Sequence, residues 1–231
     1  MILVRESDQR GYAHHNWLES YHTFSFANYY DPEYMGFEKL RVINEDFIEP
    51  GMGFATHRHH DMEILTYVIE GVLEHKDSMG TGSQIRPGEV QIMSAGSGIA
   101  HSEFNASLSD KLHLLQIWIL PDKTGLTPRY EQKTIVHSPN EMILIAAPEE
   151  NPHAVKIHQN MTIKVAYLTK DFFLRYTLTG GHAAWLQVVE GKVELNSISV
   201  SAGDGAAIED ESALTLLATE NAEILLFEFK G

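Results

Sequence analysis

The chain has 231 residues, 43% hydrophobic and 21% charged, a folded globular composition with room for one large domain or two of ordinary size. Its formal net charge of -15 repels phosphate backbones, so direct nucleic-acid binding is not expected, and no stretch approaches the roughly 20 apolar residues of a membrane span. There is no cysteine, which excludes disulfide frameworks, thiolate metal sites and cysteine nucleophiles. The opening apolar run is too short for a signal-peptide core, so a cytoplasmic location is expected.

In chain order, a short helical piece is expected over residues 8–19. Period-two strands follow at 65–69, 90–93 and 112–120, then at 186–195 and 222–229. Turn signals separate them at 77–82, Pro87-Gly88, 96–98, Gly180-Gly181 and 203–205. Many short strands with frequent turns and no long amphipathic helix predict an all-β barrel or sandwich. Pro121, Gly125, Pro128 and Pro139 crowd the stretch 121–140, which reads as the crossing between two domains, 1–125 and 126–231.

The halves resemble each other. Tyr67-Val-Ile-Glu-Gly71 answers to Gln187-Val-Val-Glu-Gly191, and Pro87-Gly88-Glu89 answers to Ala202-Gly203-Asp204. The repeated unit suggests one barrel duplicated.

Histidine is the unusual residue, with thirteen copies and a cluster between His57 and His101. His57-Arg58-His59 and His101-Ser102-Glu103 share the spacing i, i+2. On a strand, that spacing sends both side chains of each pair to one face. If both segments line one barrel, the four side chains can converge on a divalent metal with a coordination position left open for chemistry. The duplication offers a control. The same offsets from the glycines of the second half land on Thr177, Thr179, Leu216 and Ala218, none of them a ligand. A site kept in one copy only points to function rather than to a requirement of the fold.

Gly51-x5-His57-x-His59-x3-Glu63 is similar to the first cupin motif, and the stretch from Gly88 to His101-x3-Asn105 to the second. Three features depart from the general pattern: Gly71 comes one residue late, Ser94 stands in place of proline, and His101 comes two residues late. His22-Thr-Phe-Ser-Phe26, Asn28-Tyr-Tyr-Asp-Pro32, Leu40-Arg-Val-Ile-Asn44, Asp61-Met-Glu63, Ser94-Ala-Gly-x-Gly98 and Gln116-Ile-Trp118 resemble the pirin family, close to its bacterial quercetinase-type members. The likeness is dense over 22–132 and looser beyond.

The resemblance implies a bicupin of two jelly-roll-like barrels with the metal in the first. It implies His57, His59, His101 and Glu103 as ligands. Ordinary cupins would nominate Glu63; the pirin pattern leaves Glu63 behind the ligands or in the pocket. Iron(II) is the first choice of metal, with zinc, manganese, cobalt, nickel and copper open. The implied activity is quercetin 2,3-dioxygenase, in which O2 opens the heterocycle of a flavonol and carbon monoxide leaves, with Glu103 as general base. A metal-containing regulator that binds a protein partner is the alternative, and a sugar-binding or storage cupin a third reading. A monomer is expected. His60 and Asp61 are read as solvent-facing or packing, Asn105 as orienting the loop after the ligand strand, and His113 as a satisfied core residue. His14, His15, His22 and His75 have no partner spacing and are assigned structural or surface roles. For Trp118, Trp185 and the Tyr29-Tyr30 pair, core packing is preferred over lining a pocket.

Overall fold

The computed structural model describes residues 1–179 and 183–230, so the Gly180-Gly181 turn lies outside the described residues. The chain is nearly all strand. Among the described residues the only helical piece is the 3-10 turn Ser7–Gln9. The stretch expected to be helical instead forms the hairpin Gly11–His15 and Leu18–His22. Its β-branched and aromatic neighbours across the ladder outweigh a weak helical pattern.

Two compact units are present: Gly11–Ile135 with Glu149–Gln159, and Met1–Arg10 with Val136–Pro148 and Asn160–Gly231. The division does not follow a single cut after residue 125. Ile2–Arg5 pairs with Gly205–Glu209, which assigns the first strand to the later unit. Arg129–Thr134, inside the stretch read as a crossing, pairs with Glu89–Ser94 as an edge strand of the first unit.

In the first unit a seven-stranded antiparallel sheet runs in the order Arg129–Thr134, Glu89–Ser94, Glu63–Glu70, Leu112–Ile119, Leu40–Ile48, Leu18–His22, Gly11–His15. A four-stranded sheet runs Gly53–His59, Ile99–Asn105, Leu73–Asp77, Gly82–Ile85. Leu18, Ile48, Val68, Leu112 and Leu114 of the large sheet pack with Leu73 and Ile85 of the small one. Each such side chain contributes about 2 kcal/mol by leaving water. A second, smaller apolar cluster of Ile64, Met93, Ala95 and Ile99 stands apart from this core, and Thr66, Gln91, His101, Glu103 and Gln116 are buried polar residues of the same unit.

The second unit repeats the plan. Ala183–Glu190, Ala222–Phe229 and Met161–Leu168 are neighbours in its large sheet; Phe173–Thr177, Ala213–Ala218, Lys192–Leu195 and Ile198–Ser201 form the small one. The single strand expected over 186–195 is two, broken at Gly191. There φ is +73°, and a Cβ would sit 2.0 Å from the Asn221 carbonyl oxygen, so only glycine fits.

Candidate metal centre

Gly53–His59 and Ile99–Asn105 are adjacent strands of the small sheet, with His101 opposite His57 and Ile99 opposite His59. Alternation keeps His57 and His59 half-buried while Arg58 is exposed. The register slips between His101 and Glu103, so that Glu103 lies opposite Phe54. This bulge brings the two chains very close: a Cβ on Gly53 would stand 2.1 Å from the Glu103 carbonyl oxygen.

The ligand atoms of His57, His59 and His101 lie within 4.8 Å of one another. His57 Nε2 and His101 Nε2 are 3.1 Å apart. His57 Nδ1 donates to the Ala55 carbonyl oxygen at 2.9 Å, which fixes the tautomer and turns the Nε2 lone pair toward the cluster. Burial, then the neighbouring imidazoles, push His59 down to about 4 and His101 to about 2, so both rings are neutral and ready as ligands. Converging lone pairs on neutral rings are a donor set that can hold a divalent cation.

Glu103 is 4% exposed, and burial pushes its carboxyl up to about 7; the Gln116 amide, donating to Oε2 at 2.7 Å, pulls it partly back. Oε1 is buried without a hydrogen-bond partner. Glu103 also clusters with His101 and His75, again with ligand atoms within 4.8 Å. His75 is fully buried, its Nε2 3.2 Å from Asp77 Oδ2 and its ring 5.3 Å from that of His101.

These groups border a cavity of about 570 Å³, the size range of sites for drug-sized organic ligands. Trp17, Phe26, Phe54, Ile64 and Trp118 give it apolar and aromatic walls. Trp118 packs edge-on against His59 at 4.9 Å and Phe26 at 5.3 Å.

The sequence model of the pirin domain matches residues 4–119, and that of the quercetinase C-terminal cupin domain matches 144–229. The chain belongs to the pirin family. It is 50% identical over 228 residues to the quercetin 2,3-dioxygenase of Escherichia coli K12, covering 99% of this chain and 98% of that one. It is 38% identical to a pirin-like protein of Caulobacter vibrioides, covering 99% of each. The crystal structure of Escherichia coli YhhW superposes with a TM-score of 0.95 at 50% identity, covering 99% of this chain and 97% of that one. The nickel(II) complex of the same bacterial pirin gives 0.95 at 49%, covering 100% and 99%.

With the chain placed among the pirins, the sequence-expected residues sort as follows. His57, His59, His101 and Glu103 all border one cavity. Glu63, expected behind the ligands or in the pocket, turns to the opposite face from Ile64. There it takes hydrogen bonds from the Ser94 hydroxyl at 2.9 Å and the His158 backbone at 3.1 Å, and its Oε1 is 3.3 Å from His158 Nδ1. Asn105 binds the Ile48 and Asp110 carbonyls and the Ser107 amide, holding the loop after the ligand strand. His113 pairs with Glu45 at 2.8 Å. His60 is exposed, and Asp61 accepts from the Gly125 amide.

Trp118 packs against the core cluster of Ile64, Met93, Ala95 and Ile99, as expected, and also lines the cavity. His15 and His22 also line it, and His75 abuts the ligands. Gln116, quoted in a family motif without a role, is the direct partner of Glu103. The available signal was a polar side chain at an inward position of an otherwise apolar strand.

The second unit's register refines the internal control. Leu73 faces Asn105 as Val193 faces Ala218, so Leu214 and Leu216 answer to His101 and Glu103, and Tyr176 to His57. Counting from the glycines missed these positions by one or two because the connecting turns differ in length. Where the first unit gathers imidazoles, the second has Tyr176 Oη donating to Glu228 Oε2 at 2.5 Å, with Lys164 also bound to Glu228.

Proposed function

We propose that this chain is a flavonol-cleaving dioxygenase of the quercetin 2,3-dioxygenase type, with His57, His59, His101 and Glu103 holding one divalent metal, iron(II) first. The observation that carries the reading is the convergence of the His57, His59 and His101 imidazoles, with the buried, high-pKa carboxyl of Glu103 beside His101, on the wall of an aromatic cavity. The 50% identical relative named for this reaction supports the substrate class.

When bound, the metal supplies Lewis acidity toward a hydroxyl beside a carbonyl and the means of using O2. The chain's own residues do the rest. Glu103 can take the flavonol hydroxyl proton, while Gln116 holds Oε2 and so fixes the carboxyl's orientation. Trp118, Phe26 and Phe54 offer flat surfaces to a flat ligand. His101 and Glu103, 2% and 4% exposed, keep water from the reacting face.

The test is quercetin loss under O2 with carbon monoxide detection, using protein stripped of metal and reloaded with iron(II), beside Glu103→Gln. Metal-dependent loss with carbon monoxide, at least about 100-fold slower in the variant, is expected. No turnover with any of several metals, in protein that binds them, overturns the reading in favour of a metal-dependent regulator.

A further inference from the structure

Another wall of the cavity carries a polar row of which the proposed reaction uses only Gln116. On Leu18–His22 it begins with His22 and Ser20, continues on Leu40–Ile48 with Asn44 and Asp46, and reaches Gln116 on Leu112–Ile119. The register places Ser20 opposite Asp46, His22 opposite Asn44, and Asn44 opposite Gln116. All five line the cavity, and their exposure is between 3% and 7%.

Their hydrogen bonds have a direction. Ser20 Oγ donates to Asp46 Oδ1 at 2.5 Å, so its lone pairs are left to accept from His22 Nε2 at 2.9 Å. The chain of donors ends on the Asp46 carboxyl. Two residues along the same face, Asn44 Oδ1 is buried with no hydrogen-bond partner. The row therefore holds two acceptors on residues that line the cavity, one of them unused. Burial lifts the Asp46 carboxyl to about 7, the mark of an acceptor kept in a poorly solvated place.

The fold does not require the carboxyl of this row. In the second unit, Met161–Leu168 pairs with Ala222–Phe229 as Leu40–Ile48 pairs with Leu112–Ile119, so Ala166 answers to Asp46, Leu144 to His22 and Lys164 to Asn44. Ala166 there is fully buried in an apolar core. A barrel of the same plan closes without a carboxyl at that position. Burying one costs stability unless it is used or well paired.

We propose that Asn44 and Asp46, the latter held by Ser20 and His22, form a recognition subsite for hydroxyl groups of a polyhydroxylated aromatic ligand other than the one that meets the metal. For its natural ligand this rests on the flavonol reading, since a flavonol carries the hydroxyl-carbonyl pair for the metal and further phenolic hydroxyls elsewhere. Phenolic O–H groups are donors and the row offers acceptors, whereas a methoxylated or unsubstituted ring leaves Asn44 and Asp46 unpaired. Such a mismatch is what makes a polar site selective.

The probe is phloroglucinol, three hydroxyls on a bare ring, titrated by calorimetry into the full chain without metal; 1,3,5-trimethoxybenzene is the donor-free control. Wild type should bind phloroglucinol in about the millimolar range, and at least about tenfold more tightly than the control. Asn44→Leu and Asp46→Ala should each weaken phloroglucinol about tenfold and leave the control unchanged. Asn44→Leu removes a group with an idle oxygen, so it keeps the test open if Asp46→Ala does not fold. In the metal-loaded enzyme, Asn44→Leu should raise KM for quercetin while kcat and the KM for 3-hydroxyflavone hold. Equal binding of the two probes, no binding by wild type, or variants that bind phloroglucinol as wild type does would overturn the subsite. Quercetin consumption is read separately. If phloroglucinol binds but quercetin is not consumed, the subsite stands and the dioxygenase reading falls.

Discussion

His57 and His101 face each other on paired strands with their Nε2 atoms 3.1 Å apart, while His57 Nδ1 is held by the Ala55 carbonyl oxygen. A divalent cation bound there would draw on both Nε2 lone pairs. Nickel(II) at 100 times its Kd should therefore stabilise the protein by about 2.7 kcal/mol, seen as a rise in Tm. His101→Ala should abolish the gain. A variant that keeps the full rise would place the metal elsewhere.

Gln116 orients Glu103 without touching the imidazoles. Gln116→Leu should keep metal binding within a few-fold and lower kcat by about 10- to 100-fold, the usual range for a residue that positions a ligand. Unchanged kcat with iron(II) bound would remove Gln116 from the mechanism.

Gly53 permits the close approach of the His57 strand to Glu103. Gly53→Ala places a Cβ 2.1 Å from a carbonyl oxygen and 2.5 Å from the Phe104 Cα, neither of which can swing aside. A loss of about 2 kcal/mol in urea denaturation is expected, with weaker nickel(II) stabilisation as the strands part. A stability equal to wild type would mean that the bulge relaxes freely.

Asp46 supplies a pH signature. Its folded pKa, about 7, lies above the ordinary value of 3.8, so the folded state holds a proton that the unfolded chain releases between those values. Stability from this group is greatest below about 4, falls as pH rises toward 7, and stays low above it. Asp46→Asn removes the dependence while still accepting from Ser20. Relative to wild type it should gain up to about 4 kcal/mol between pH 4 and pH 8 in chemical denaturation. A constant difference across that range would show that Asp46 is not protonated at neutral pH.

The second unit holds a paired charge where the first has its site. Glu228 takes bonds from Tyr176, Lys164 and the Thr179 amide and is 2% exposed. Lys164→Ala should cost about 3 kcal/mol by leaving that carboxylate unpaired, with nickel(II) affinity unchanged. Lost nickel(II) binding in a folded variant would tie the network to the metal.

How much of this was legible in the sequence depends on the distance over which each feature is encoded. The strands at 65–69, 90–93, 112–120 and 222–229 were legible because period-two burial is local. So was the sharing of one face by His57 with His59 and by His101 with Glu103, since alternation on a strand depends on no distant partner. The repeat located the second barrel and put no histidine or carboxylate at the counted offsets. Alternation says only that a residue points inward, and in this barrel inward means core at some positions and cavity at others. Which positions meet the cavity is set by cross-strand register: Ser20 against Asp46, Asn44 against Gln116, and the bulge that seats Glu103 beside Gly53. Alternation alone therefore gives His22 and His75 structural or surface roles, and it cannot tell that Trp118 meets the cavity while it packs or that Glu63 faces away from it. Neighbours in sequence determined the strands and the ligand pairs; only partners tens of residues away, brought together by backbone pairing and close packing, decided which of those side chains share the cavity.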